Sequence, residues 1–243
     1  MVLKKLRKAS GKRYLGPLWL IMDPLIYSLI YLFVFTVLRA RIDPGSIFIG
    51  ITLYGVLSSS LVAGIESISE INGGLKCERV STSVLTRAAL VHRSIDVMLR
   101  TVPTSIVLVI GFQVAVIGAV SYLIIAQIMG QLIMGLGFFL SPSISRIPDI
   151  TALIKYALRI GFYSSPTMIP MERMTDFPLL YALNEYNPFS YFVELIRQFS
   201  GFPSEFSNLS IEMFYMILLI LFTSTVVGIR RLDLLRWRMT TWS

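Results

Sequence analysis

The chain has 243 residues, of which 55% are hydrophobic and 15% are charged, and its formal net charge is +8. A soluble domain of this length needs a larger charged fraction to cover its surface. The apolar residues also form long uninterrupted blocks, which soluble helices lack because one of their faces meets water. The composition therefore excludes an ordinary soluble domain and predicts an all-α integral membrane protein, with a single domain over residues 1–243.

The N-terminal region combines a basic start with a long apolar run. Residues 1–15 carry six lysines and arginines among a few apolar side chains, and we expect an interfacial segment there. The apolar run that follows is too long for a cleavable signal peptide and lacks a small-residue cleavage site. We therefore predict the first membrane helix at residues 16–38, interrupted only by Asp23-Pro24.

The next three crossings follow from uncharged stretches. A second helix is predicted at 47–66. Residues 101–145 contain no charge at all, and as one helix they would be about 68 Å long, against a hydrocarbon core of about 30 Å. This stretch must therefore cross twice. We predict helices at 101–119 and 121–140, with the turn near Gly118 to Ser121.

Two weaker blocks at 150–169 and 213–229 complete six predicted crossings. Basic residues favour cytoplasmic loops. If the N-terminus lies inside, 18 of the 22 lysines and arginines fall on the inner side. The sequence thus predicts that both ends lie in the cytoplasm (N-in/C-in). The same distribution explains the positive net charge through membrane orientation, without a nucleic-acid partner.

Two segments between crossings have a pattern of their own. Residues 73–93 are polar, begin at Gly73-Gly74, and then place apolar residues at helical spacing opposite Arg79, Arg87 and Arg93. This predicts an amphipathic helix on the inner membrane face. Residues 176–199 are too apolar for an exposed outer loop, and we expect short outer re-entrant helices with a break at Asn187-Pro188.

Few residues suit enzyme chemistry. The only histidine, His92, is expected in the cytoplasmic segment, and a lone loop histidine is ordinarily structural. Gly11-Lys12 lacks the earlier glycine of a phosphate-binding loop. Cys77 is the only cysteine, which excludes an intrachain disulfide and a cysteine-cluster metal site. We therefore predict no catalytic residue, no metal site and no cofactor on this chain.

Aromatic residues are numerous, with 15 Phe, 11 Tyr and 3 Trp. Most are expected to pack against lipid or to mark the membrane interfaces. A subset could line a conduit, where flat rings stack on sugars. Tyr27 and Tyr31 share one helix face, and Tyr54 could join them from the second helix; Trp19 belongs to the same predicted translocation path.

Three stretches resemble one family. They are RYLGPLWLIMDPLIYSLIYLFVF from Arg13 to Phe35, GGLKCERVSTSVLTRAALV from Gly73 to Val91, and FYSSPTMIPMERMTDFPLLYALNEYNPFSYFVELIRQ from Phe162 to Gln198. In this order and spacing, with six crossings, the chain resembles the permease subunits of type 2 ABC transporters, particularly the polysaccharide-export branch of capsule, O-antigen and teichoic acid exporters.

The resemblance implies a homodimeric permease that pairs with two separate ABC nucleotide-binding subunits, which bind ATP and Mg. It implies that the cytoplasmic segment docks on the ATPase, and that the first and fifth helices of both copies enclose a path for a lipid-linked glycan. The residues assigned to ATPase coupling are Gly73, Gly74, Leu75, Lys76, Glu78, Arg79 and Arg87. Those assigned to an outer gate are Asn187, Pro188, Glu194 and Arg197.

The leading hypothesis is a transport subunit, itself not an enzyme, in the cell (inner or plasma) membrane. It would export a cell-surface polysaccharide or lipid-linked glycan from the cytoplasm. A drug or lipid exporter of the same family is the closest alternative. A membrane-embedded enzyme and an ATP-independent channel or carrier are more distant ones; the first lacks a His/Asp/Glu cluster, and the second would transport without an ATPase.

Overall fold

The computed structural model describes residues 43–74, 82–144 and 147–240, together with six single positions between 22 and 33. From residue 43 onward the described ranges are helical apart from short connections. The α-helices are α1 (Pro44–Gly74), α2 (Thr82–Phe112), α3 (Val116–Ile144), α4 (Pro148–Ser164), α5 (Pro178–Glu185), α6 (Pro188–Phe199) and α7 (Ile211–Thr240). Two short 3-10 helices are Met171–Asp176 and Phe206–Asn208.

Helix α3 lies at the centre of the bundle and packs closely against α1 and α7. A Cβ added at Gly137 would come within 2.6 Å of the Leu61 carbonyl oxygen and 2.7 Å of the Gly64 Cα. On another side of α3, a Cβ at Gly228 would lie 2.6 Å from the Phe139 amide nitrogen. Small residues let membrane helices approach closely where no water drives their association. These glycines therefore determine how near the three backbones lie.

Four of the described helices are long and apolar enough to cross a membrane. The candidate spans are Pro44–Ser67, Thr86–Phe112, Val116–Ile144 and Ile211–Leu232. They overlap the crossings predicted at 47–66, 101–119, 121–140 and 213–229. The predicted segment 1–15 and most of the predicted crossing 16–38 lie outside the described residues. The full six-crossing topology, with both ends inside, stays a prediction.

The turn between the third and fourth predicted crossings lies earlier than the sequence indicated. The chain leaves α2 at Phe112 and starts α3 at Val116, and Gln113 adopts a left-handed conformation with φ of 54°. The prediction of a turn near Gly118 to Ser121 is therefore wrong. Gly118 is helical instead, and a Cβ there would lie 2.9 Å from the Phe199 carbonyl oxygen. Its small size serves packing against the end of α6.

Helix α2 also differs from the expectation of an interfacial amphipathic helix. Residues 82–93 are continuous with the rest of α2, and no break separates them from the membrane span. Val84 and Val91 are each 52% exposed, whereas Arg93 is 5% exposed. Val84 and Val91 therefore point away from the bundle and Arg93 points into it, whereas Arg87 is exposed. Of the three arginines on the predicted polar face, Arg93 is thus the one described with partners on α1.

Helix α4 corresponds to the weakest predicted crossing, 150–169. It has 17 residues and ends at Ser164, which is shorter than the roughly 20 residues that a membrane-spanning helix needs. Pro148 opens the helix at a position where its missing N–H is no loss. Beyond Ser164 the chain turns into a compact set of short helices.

Candidate functional site

Residues 165–210, which we call the connecting segment, join α4 to α7 through short helices. Asn187 ends the turn after α5 and caps α6, since its side-chain oxygen accepts a hydrogen bond of 3.0 Å from the Phe189 amide. Pro188 occupies the first position of α6, where proline is favourable. The helix boundary thus falls at Asn187-Pro188, because both residue types suit a helix start and not a helix interior.

A buried ion pair lies at the centre of the connecting segment. Arg197 Nη1 donates to Glu194 Oε1 at 2.7 Å, and both side chains are 0% exposed. The two residues are three positions apart on α6, so they share one face of the helix. Burial lowers the pKa of Arg197 below its ordinary value, and the charge of Glu194 opposes that shift. The guanidinium nevertheless stays protonated, since its pKa starts far above neutrality.

The ion pair joins several parts of the chain. Arg197 Nη2 donates to the Ser46 carbonyl oxygen at 3.3 Å and to the Thr167 carbonyl oxygen at 3.2 Å. The Glu194 carboxylate accepts from the backbone N–H of Met171 at 3.5 Å and of Glu205 at 3.0 Å. The pair therefore fastens α6 to the start of α1, to the chain that leaves α4, and to both ends of the connecting segment.

Asn184 is a second buried polar centre, which sequence reasoning missed. Its amide nitrogen donates to the Ser164 carbonyl oxygen at 2.7 Å and to the Leu180 carbonyl oxygen at 2.9 Å. Its side-chain oxygen accepts from Ser190 Oγ at 3.0 Å and from the Asn187 amide at 3.3 Å. One asparagine thus links α4, α5 and α6. The sequence signal was weak, because asparagine is common in loops for other reasons.

Tyr54, which the sequence assigned to a translocation path, lies in an aromatic cluster between α1, α4 and α6. Its hydroxyl donates to the Leu158 carbonyl oxygen at 2.7 Å. Its ring lies 5.3 Å from the ring of Phe162 and 5.0 Å from that of Phe189. These contacts hold α4 against α1 within one chain. The other three path residues, Trp19, Tyr27 and Tyr31, lie outside the described residues, and the path assignment stays a prediction.

The residues assigned to ATPase coupling are only partly described. Gly73 and Gly74 are the last residues of α1. Arg87 is exposed near the start of α2. Leu75, Lys76, Glu78 and Arg79 lie outside the described residues. The coupling role of all seven stays a prediction, and Arg87 is the described side chain of the set that is open to a partner.

A second buried arginine, Arg93, joins α2 to α1. Its Nη1 lies 2.5 Å from Asp96 Oδ2, and Nε donates to Ser60 Oγ at 2.8 Å. Its Nη2 donates to the Val56 carbonyl oxygen and to Ser59 Oγ, each at 2.7 Å. We call this arrangement the Arg93 clasp. The i, i+3 spacing of Arg93 and Asp96 was a visible signal, but the sequence analysis placed Arg93 in a cytoplasmic segment.

Other charged groups within the bundle are more exposed. Arg100 Nε lies 3.2 Å from Asp96 Oδ1. Lys155 of α4 pairs with Glu66 of α1 at 2.6 Å, and both side chains are more than a third exposed. Within the described residues, no three His, Cys, Asp or Glu side chains are placed to hold a metal ion.

The helical bundle, its apolar spans and its buried polar centres define a multi-pass membrane protein. Residues 1–200 match the family model of the ABC-2 type transporter. The chain belongs to this family, whose members are membrane permease subunits that associate with ABC ATPase subunits.

The chain can also be compared with an individual protein. The chain is similar to the O-antigen export system permease protein RfbA of Myxococcus xanthus. The two are 24% identical over 180 residues, which cover 72% of this chain and 69% of the relative.

Proposed function

We propose that this chain is the permease subunit of an ATP-driven exporter that moves a cell-surface polysaccharide or its lipid-linked precursor out of the cytoplasm. The observation that carries this proposal is the family match over residues 1–200, together with the similarity to an O-antigen export permease. Two copies of the chain would enclose the path in the cell membrane. Two nucleotide-binding subunits would bind ATP and Mg, and this chain would need no cofactor of its own.

The geometry of α2 supports a coupling role for its first turns. An ATPase that hydrolyses ATP outside the membrane must move a membrane helix to do work on a substrate. Helix α2 runs from Thr82, next to the predicted ATPase contacts, to Phe112, with Pro103 in its last third. A helix of 31 residues is a continuous element of about 46 Å. Movement at one end of α2 is therefore carried into the membrane-spanning part.

The geometry of the connecting segment supports an outer gate. The segment is short-helical, rests on the start of α1, and is held both by buried polar contacts and by apolar side chains such as Tyr191, Phe192 and Ile196 in the main core. Such contacts have few alternative arrangements, so the segment would move as a body when α1 and α4 move. Asn187, Pro188, Glu194 and Arg197 would fix the shape of that body.

The proposal is tested by reconstitution. This chain and its ATPase subunit, co-purified and inserted into liposomes, are expected to translocate lipid-linked glycan when ATP is supplied on the ATPase side. An ATPase subunit with a disabled phosphate-binding loop serves as the matched control and should abolish the transport. Translocation by this chain without the ATPase would instead establish a channel or carrier. ATP-driven movement of drugs or phospholipids, with none of the glycan, would establish the alternative exporter.

A cellular experiment tests the proposed substrate class in vivo. Deletion of the gene should remove the surface polysaccharide and cause lipid-linked glycan to accumulate inside the cell, and the wild-type gene should reverse both effects. Unchanged surface polysaccharide, with increased sensitivity to hydrophobic drugs, would contradict the proposed substrate class.

A further inference from the structure

The Arg93 clasp has properties that a simple packing contact lacks. All three guanidinium nitrogens of Arg93 are bonded, to one carboxylate, one backbone carbonyl and two hydroxyls. Arg93 and Asp96 are both buried. Arg93 lies about 10 Å along α2 from Thr86, the first residue of the candidate span. Charged groups that lie within membrane-spanning helices and are buried in protein are rare, and they are retained mainly where they have a function.

The clasp fixes the position of α1 relative to α2. Its three acceptors on α1, the Val56 carbonyl, Ser59 and Ser60, lie on adjacent turns of the helix. Sliding or rotation of either helix would separate a buried guanidinium from these acceptors. The guanidinium is buried in protein, so water does not reach it to replace them. Asp96 moves with Arg93 on α2, but a shift of α1 would leave the buried Nε and Nη2 donors without their acceptors, which is costly.

A second buried arginine holds the start of α1. The carbonyl oxygen of Ser46, in the first turn of α1, accepts a hydrogen bond of 3.3 Å from Arg197 of the connecting segment. Ser46 and Ser59 are about 20 Å apart along the helix axis. Helix α1 is thus held by Arg93 of α2 at its middle and by Arg197 of α6 at its start.

We propose that Arg93 is a positioning residue that makes α1 and α2 move as one unit, so that displacement of the ATPase-facing end of α2 reaches the connecting segment through α1. The proposal rests on the proposed function in assigning that displacement to an ATPase. Arginine is required because its planar fork bonds four groups at fixed angles, whereas the ammonium group of lysine is a single point charge.

The direct test measures the separation of α1 and α2. In a Cys77→Ser background, spin labels are attached at Gly55→Cys on α1 and Val91→Cys on α2. Both positions are exposed, and Gly55 has open space around it. Labelled chain is diluted with unlabelled chain, so that pairs within one protomer dominate. The complex with the ATPase subunit is then measured by pulsed electron paramagnetic resonance, with and without a non-hydrolysable ATP analogue.

We expect one distance in both nucleotide states for the wild-type clasp. In Arg93→Met, nucleotide should shift or broaden the distance distribution. Transport per ATP hydrolysed should fall about tenfold or more, which lies within the range typical of coupling between sites. A variant that merely folds less well would lose transport and ATP hydrolysis in parallel and would keep its distance in both states. That result would overturn the proposal.

Further variants distinguish the effect of the hydrogen bonds from Arg93 to α1 from the effect of removing a positive charge near Asp96. Arg100→Gln removes a guanidinium from the same carboxylate, Asp96, but no described bond to α1. It should leave distance and coupling unchanged, and an effect equal to that of Arg93→Met would overturn the proposal. If Arg93→Met fails to fold, Arg93→Lys and Ser59→Ala/Ser60→Ala should show partial uncoupling, and normal coupling in both would also overturn it. Should the wild-type complex hydrolyse ATP without moving glycan, the proposed function fails, yet the measured distances still decide whether α1 and α2 form one unit.

Discussion

Removal of Arg197 should destabilise the protein strongly, because it leaves the buried carboxylate of Glu194 without its counter-charge. Breaking a buried ion pair by removing one partner costs about 3–5 kcal/mol. Glu194 would keep two backbone N–H donors, at 3.0 and 3.5 Å, so we expect Arg197→Met to fall at the low end, near 3 kcal/mol. That corresponds to more than about a hundredfold in the unfolding equilibrium.

Thermal unfolding of the purified protein in detergent, followed by circular dichroism, measures this loss. For a chain of this size about 3 kcal/mol lowers the midpoint by roughly 6–12 °C. The matched control is Arg173→Met, the same change at an exposed position of the connecting segment, which should shift the midpoint by less than about 2 °C.

The double variant Glu194→Leu/Arg197→Met isolates the interaction between the two charges. With both charges gone, only neutral backbone groups lose partners, so the double variant should be no less stable than Arg197→Met alone. With the single variant Glu194→Leu measured as well, the double-mutant cycle should give a favourable coupling energy of about 2 kcal/mol. A midpoint for Arg197→Met close to that of the wild type, or additive losses in the double variant, would refute the reasoning.

Three further experiments test other parts of the molecule. Asn184→Leu should cost about 1–3 kcal/mol, because the Ser164 carbonyl loses its donor; limited proteolysis should cut the connecting segment faster, and unchanged cleavage would contradict this. Gly64→Ala should lower the thermal midpoint, since its Cβ would meet the Met134 carbonyl oxygen. The control Gly55→Ala has open space around it and should be neutral or slightly stabilising. Equal effects of the two substitutions would argue against close helix contact at Gly64. Arg79→Glu should leave membrane insertion intact while separating ATP hydrolysis from transport, and normal transport in that variant would remove Arg79 from the coupling set.

Several features followed from local chemistry. The uncharged run of residues 101–145 is too long for one crossing, and the structure divides it by a short turn. Asn187-Pro188 marks a helix start in the sequence alone, since asparagine is favourable as an N-cap and proline is favourable at the first helical position. Glu194 and Arg197 share a face of α6 because of their spacing. None of these statements needs a distant residue.

Other features depended on contacts between distant parts of the chain. Gly118 suggested a turn, yet it lies within α3. Its small size serves a different purpose there, since it allows the end of α6 to approach. Asn184 gave no clear signal, since its partners lie on other helices. A residue whose role is to touch a remote backbone group cannot be recognised from its neighbours in sequence.

The sequence by itself therefore determined that the chain is a membrane protein of apolar helices, and its motifs indicated the family to which it belongs. Only the tertiary structure decided where the charges of α2 lie. The sequence placed Arg93 in a cytoplasmic segment because it ends the polar stretch 73–93 and because basic residues favour the inner side. Arg93 is buried because Asp96 on the same helix and three acceptors on α1 satisfy it. The cost of a buried charge depends on its partners, and those are brought together only by folding.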